Sequence, residues 1–243
     1  MPDPIINIQG DPTRQAMDSL RGYVYQIYAT SLAWMALRAD EVLFVEVAED
    51  YAVAVAEAMT GTQVRDTAKS GSFVLTSDKG AETINSLFEL QKLNPDKRVI
   101  IRYLTTSPDG KERAKKNQIN GVSGVAYWRS AAGLADVGPM RAKLLKMKLS
   151  KEAKQFIEKS SDADLRERVL RRIFWDTKQP NVAALREQLE EALVLHGESS
   201  GEAAQTSRRV SSAVIEHILS VAITQGKRRL NRAQFVKLSL IHI

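Results

Sequence analysis

Cysteine is absent from the 243 residues. That removes disulfides, thiolate nucleophiles and cysteine-based zinc sites together. Histidine is scarce: His196, His217 and His242 are the three, far apart and without ligand spacing, so they read as surface or core side chains. No apolar run approaches the roughly 18 to 20 residues of a membrane span. The opening MPDPIINIQG lacks the basic and apolar regions of a secretory leader. A cytoplasmic protein with no membrane partner is therefore the expectation. Also missing are a Walker loop, a GxSxG elbow, a dinucleotide-binding glycine fingerprint and any repeat at solenoid spacing.

What is present is ordinary in amount, with 44% hydrophobic and 26% charged residues. The length holds one large domain or two small ones. The net charge is +6, and residues 141 to 178 carry twelve Lys/Arg against six Asp/Glu, an excess equal to that of the whole chain. Such a segment suits a polyanionic partner, because Lys and Arg displace condensed counterions from nucleic acid. A solvated basic helix face explains it equally well.

Residues 1 to 16 hold three of the seven prolines without periodicity, which makes them a flexible lead-in. Asp18 and Ser19 can cap a helix reaching about Ala39, with Leu20, Tyr23, Val24, Ile27, Trp34 and Leu37 as its apolar face. Gly22 is unfavourable inside a helix, so a close approach by another element is expected there. Two strands follow, Val42 to Ala48 and Tyr51 to Glu57. In the second, Tyr51, Val53 and Val55 alternate with Ala52, Ala54 and Ala56, an alanine face suited to a closely packed helix. Ala58 to Thr62 reads as a turn and Gln63-Val64-Arg65 as a third strand. A helix from about Gly80 to Leu93 buries Ile84, Leu87, Phe88 and Leu90. It crosses over to the core strand Arg98 to Leu104, placed parallel to an earlier one.

After Val125 the strand signal fades, and helices are expected at 138–147, 150–159, 162–174, 181–195 and 207–226. Leu165, Val169, Leu170, Ile173 and Phe174 form one apolar stripe. Trp128, Trp175 and Tyr127 read as buried anchors, with base stacking as the other role open to them. The expected fold is α/β, a mixed sheet flanked by helices (residues 17–130), then an all-helical part (131–243). The apolar ending QFVKLSLIHI carries no closing cap, so the chain reads as the front of a longer protein.

The stretch Val42 to Lys69 carries the chemistry. Acids at one strand end, beside an x-Val-basic triplet on the next strand, are how metal-dependent nucleases of the restriction type build a site. Alternation would put Glu46, Ala48 and Asp50 on one side of the first strand, and Gln63 with Arg65 on one side of the third. Gln63 can offer a carbonyl oxygen where a second carboxylate would stand. Taken singly, Glu46 and Glu49 fit solvent-facing positions, and Gln63 an ordinary edge position.

In order and spacing, Arg21-Gly22-Tyr23-Val24-Tyr25-Gln26, Glu46-x-x-Glu49-Asp50 and Gln63-Val64-Arg65 resemble the double-stranded-DNA endonuclease domain at the N-termini of bacterial antiphage effectors. Those effectors include CBASS nucleases with a cyclic-oligonucleotide sensor and STAND-type ATPases. The domain belongs to the PD-(D/E)xK superfamily in its Asp … Gln-x-Lys variant, so the resemblance implies a restriction-endonuclease-like core over residues 17–130. The resemblance covers residues 18 to about 107 by motif. It extends to about 235 by pattern, including Ile173–Trp175 and the late Arg-Arg-Leu-Asn-Arg-Ala-Gln-Phe stretch.

It implies Mg²⁺ held by Asp50, Gln63 and Glu46, with Glu49 assisting and Gln26 approaching from the first helix. Arg65 stands at the catalytic lysine. It also implies double-stranded DNA as substrate, a sensor or ATPase region beyond this chain, and an oligomer on activation. Arg departs from the pattern: it keeps its proton and carries its charge on a planar fork. It can hold a phosphate bidentately but does not copy a compact ammonium beside a water. Lys69, four residues on, is the candidate substitute. Three readings stay open: an active endonuclease, a silent nuclease fold that binds DNA or mediates assembly, and a helical interaction scaffold.

Overall fold

The computed structural model describes residues 17–67, 71–113, 115, 118–199, 207–224, 226 and 228–242. The chain runs α1 (Met17–Met35), β1 (Val42–Val45), β2 (Tyr51–Ala54), β3 (Ala58–Arg65), α2 (Asp78–Leu93), β4 (Arg98–Thr105) and α3 (Gly124–Gly133). It continues through α4 (Gly138–Leu145), α5 (Lys151–Lys159), α6 (Asp162–Arg168), β5 (Ile173–Asp176), α7 (Val182–Ser199), α8 (Ser207–Ile223), β6 (Arg229–Asn231) and α9 (Arg232–His242). Local chemistry sets many helix starts. Ser77, Ser123, Ser150 and Ser161 cap α2, α3, α5 and α6, each hydroxyl accepting from the backbone N–H three residues on.

The strands form one mixed sheet in the order β5-β4-β3-β2-β1-β6. The β1-β2-β3 meander is antiparallel, α2 carries the chain across, and β4 lies parallel to β3 with Ala58 opposite Arg98 and Arg65 opposite Thr105. This is the expected α/β arrangement, with helices on both faces. Ala52, Met59, Val99 and Ile101 pack under α2 through α6, while Leu43, Val45, Tyr51 and Val64 pack under α1, α7, α8 and α9. The predicted division of Tyr51 from Ala52 between the two faces is the division observed.

Several expectations need correction. The segment from Ala58 to Thr62 is not a turn but the first part of an eight-residue β3. Gly61 stands within that strand because a Cβ there would lie 3.2 Å from Glu49 Cγ and 3.4 Å from both Ile101 and Leu90. No close approach explains Gly22, where an added Cβ would meet nothing within 4 Å. On α1 the buried apolar positions are Tyr25, Ile27, Ala29 and Trp34, whereas Leu20 and Tyr23 face outward.

Among the described residues the second part of the chain is helical apart from its connections and from β5 and β6, which extend the sheet at its two edges. The helix expected over 162–174 stops at Arg168. A 3-10 turn (Leu170–Arg172) leads into β5, and the strand's alternation turns Phe174 outward to 48% exposure while Ile173 and Trp175 stay buried. The boundary expected at residue 130 falls inside α3. Trp34 links the two ends of the chain: its indole N–H donates to the Asn231 carbonyl at 2.9 Å, and its ring stacks on His217. Among the described residues no helix is long and apolar enough to cross a membrane.

Candidate active site

The site forms where β1 and β3 end and β2 begins, closed by α1 on one side and α2 on the other. β1 stops at Val45, and both Glu46 and Glu49 take left-handed backbone angles, with φ of 53° and 65°. Strand alternation therefore does not place the acids, as had been expected. A tight connection does, with the Glu46 N–H donating to the Asp50 carbonyl at 3.1 Å. Non-glycine residues seldom adopt that conformation, and two in four residues is the kind of local strain that clusters at functional sites.

Each acid then meets a partner from another element. Gln26 of α1 donates its side-chain amide to Glu46 Oε1 and also lies 3.4 Å from the Asp50 carbonyl. Gln63 of β3 donates to Glu49 Oε2 at 2.8 Å. Asp50 Oδ2 accepts from the Val64 N–H at 2.5 Å and from Arg65 Nη1 at 3.0 Å, and the same Nη1 donates to the Val64 carbonyl. Gln26, Glu46, Glu49, Asp50, Gln63 and Arg65 thus come together. Lys69 lies outside the described residues.

Charge is unevenly balanced here. Burial pushes the Asp50 carboxyl above its ordinary range, Arg65 and the Val64 N–H pull it down, and Glu46 and Glu49 push it up again. The net shift is upward because burial outweighs the donors that stabilise the carboxylate. An oxygen-donor set of this kind suits a hard divalent cation, which commonly takes one or two carboxylates plus waters and substrate oxygens. Among the described residues no three His, Asp or Glu side chains converge on one metal position, so any such ion would rely on that mixed set. Gln63 is buried, turning its oxygen to the Thr83 hydroxyl at 2.6 Å and its nitrogen to Glu49 and Ser86. Its oxygen becomes available on the acid side when the amide turns over.

Thr83 and Ser86 on α2 are site-supporting residues that sequence reasoning missed. The available signal was a pair of hydroxyls three residues apart beside the apolar stripe of an amphipathic helix. Arg21 and Tyr25 also gain roles. Arg21 Nε pairs at 2.8 Å with Asp66, whose side chain is 2% exposed, just past β3. Tyr25 is buried beside it, its hydroxyl pushed up to about 12 by burial and then by Asp66 and Tyr51. The hydroxyls of Thr105, Thr106 and Ser107 bond to Thr67, so they tie the ends of β3 and β4 together. Trp128, Trp175 and Tyr127 are buried anchors.

Fold and cluster together define a class: a mixed-sheet α-β-β-β-α-β core with an acid, amide and guanidinium set at the sheet's end. No protein-family model matches the chain, and no curated protein does. Among solved structures it is similar to the Acinetobacter baumannii Cap4 SAVED/CARF-domain containing receptor, in its structure with the cyclic trinucleotide 3'3'3'-cAAA. The TM-score is 0.52 at 13% identity, over 91% of this chain and 45% of that one. A second structure of that receptor gives a TM-score of 0.52 and 13% identity, over 91% and 46%. The likeness is one of fold. This chain spans less than half the length of the receptor it matches.

Proposed function

We propose that this chain is the DNA-cleaving module of an antiphage effector of the CBASS kind, hydrolysing phosphodiester bonds in double-stranded DNA. The observation that carries the reading is the pairing of Arg65 with Asp50 and of Gln63 with Glu49 at the end of β3, with Glu46 and Gln26 beside them. The fold shared with the Cap4 receptor supports a place in defence. The remainder of such an effector would supply sensing and oligomerisation.

Asp50, with Glu46 and a reversed Gln63 amide, would hold Mg²⁺. Bound there, the ion supplies polarisation of the phosphate and a lowered pKa for the attacking water. The chain's own residues do the rest. The Val64 N–H fixes the Asp50 carboxylate, Gln26 fixes Glu46, and the Arg65 fork binds a scissile phosphate through paired N–H groups. The contact between Arg65 and Asp50 favours a second reading, in which the guanidinium keeps the carboxylate to itself and the fold binds DNA without cutting it.

Plasmid cleavage with Mg²⁺ separates the two. The wild-type chain is expected to cut, and Asp50→Ala to lose at least roughly 100-fold of the rate, an interaction of several kcal/mol. Cutting by Arg65→Lys but not by the wild type would make the silent fold the correct reading. Equal cutting by wild type and Asp50→Ala would remove the site altogether.

A further inference from the structure

Part of the basic segment noted in the sequence is engaged within the protein. Arg141 pairs with Asp162, Lys148 with Asp78 and Arg171 with Glu167, while Arg166 donates to the carbonyls of Ala131 and Ala135. Arg168 and Arg172 differ. With Arg98 they line a cleft of about 660 Å³ between the end of α2 and α5. Among the described residues, none of the three reaches a carboxylate at salt-bridge distance. Arg172 Nη1 donates to the Gln91 amide oxygen at 3.1 Å, and the Arg168 guanidinium lies 4.9 Å from the centre of the Phe156 ring. Phe156 in turn meets Phe88 edge-on, with centroids 5.7 Å apart.

Three like charges at one cleft repel. Burial, then Arg98 and Arg168, push the Arg172 guanidinium below its ordinary range, with Glu167 pulling weakly the other way. The cleft's own acids, Asp96 and Glu152, face five cations, and Glu152 lies 4.0 Å from Lys92. Guanidinium forks match phosphate oxygens, and half-buried aromatic rings beside them match a planar base. The volume falls in the range of small-ligand sites.

We propose that this cleft binds a nucleoside phosphate, with Arg98, Arg168 and Arg172 on the phosphate and Phe88 and Phe156 against the base. It is a second site: Arg98 and Thr105, the partner of Arg65, stand at opposite ends of β4, roughly 23 Å apart along the strand. The proposal does not depend on nuclease activity.

The probe is ADP, titrated calorimetrically into the full chain in the presence of a chelator. ADP is expected to bind, and inorganic phosphate to bind roughly tenfold more weakly because it lacks the base. Arg98→Gln with Arg168→Gln, both exposed side chains, should weaken ADP at least roughly tenfold at unchanged melting temperature. Phe156→Leu should weaken ADP but not phosphate, and Asp50→Asn should leave both alone. No binding at about 1 mM ADP, or binding indifferent to the two arginines, overturns the proposal. So does a short DNA duplex that displaces ADP through the same arginines, which would make the cleft a nucleic-acid track.

Discussion

The ion pair between Glu112 and Lys143 offers a sharp stability test. Glu112 follows β4 and Lys143 lies on α4. Their side chains are 3% and 7% exposed, and Nζ stands 2.6 Å from Oε1. The carboxylate sits at the start of α3, where a Cβ on Gly124 would come within 2.7 Å of it. Apart from the ion pair, neither oxygen finds a hydrogen-bond donor among the described residues. Lys143→Met keeps most of the stem's volume but strands a buried carboxylate, which costs about 3–5 kcal/mol. For a chain of this size that is a fall in melting temperature of roughly 6–20 °C. Adding Glu112→Leu removes the stranded charge and should restore stability to near the wild-type value. Urea unfolding followed by tryptophan fluorescence reads the core directly, since Trp128 and Trp175 lie within it. A loss below about 1 kcal/mol in the single variant, the value of an exposed pair, would refute the reasoning. So would a double variant less stable than the single.

Two further outcomes are expected near the site. In Gly61→Ala only Glu49 must yield, since its Cγ would lie 3.2 Å from the new methyl. Melting should stay within about 1 kcal/mol of wild type while plasmid cleavage falls, and unchanged cleavage would show that the Glu49–Gln63 contact is idle. The second is a pH dependence. The folded Asp50 carboxyl is raised above its unfolded value, so the native state binds the extra proton and stability drops as pH climbs through that interval. Asp50→Asn should therefore melt higher than wild type at neutral pH, and the gap should close once pH falls below the ordinary carboxylate range. A gap that persists in acid would refute the burial argument.

Much of the frame was legible because it is local. The alternation of Tyr51 with Ala52, the stripe of α2 and the crossover to β4 each follow from a period or from chain reach, and each is observed. β5 and β6 were not legible. Strands of four and three residues carry too few alternations to register against neighbouring helices, and their pairing depends on partners 72 or more residues away in sequence, Ile101 with Ile173 and Leu43 with Leu230. β3 was misread at its start because Gly61 looks like a turn residue. What favours a glycine is the close packing of the Glu49 side chain on the strand, which no local pattern reports. At the site the residues were legible and their means of assembly was not. Period-2 reasoning assumed an extended chain through Glu46 to Asp50, but two left-handed residues fold that segment into a tight connection.

The pairing pattern at the site bears on what Arg65 does. Three carboxylates each have a partner from a different position: Glu46 with Gln26, Glu49 with Gln63, and Asp50 with Arg65. Two of those partners are amides, which donate hydrogen bonds but bring no charge. Arg65 is the guanidinium that reaches one of these carboxylates, while Arg228 Nη1 donates to the Glu46 carbonyl at 2.6 Å; burial is what chiefly raises the Asp50 carboxyl, against Arg65 and the Val64 N–H. A lysine at position 65 would supply the same single charge, so the residue change does not alter the balance; it alters geometry. Nη1 of Arg65 already bridges Asp50 and the Val64 carbonyl, whereas a lysine's ammonium is a compact point charge on a flexible stem. The difference between a cutting and a silent module thus comes down to one exchange. Under the proposed function, a divalent cation would have to draw Asp50 away from Arg65, and the silent reading is the case in which it does not.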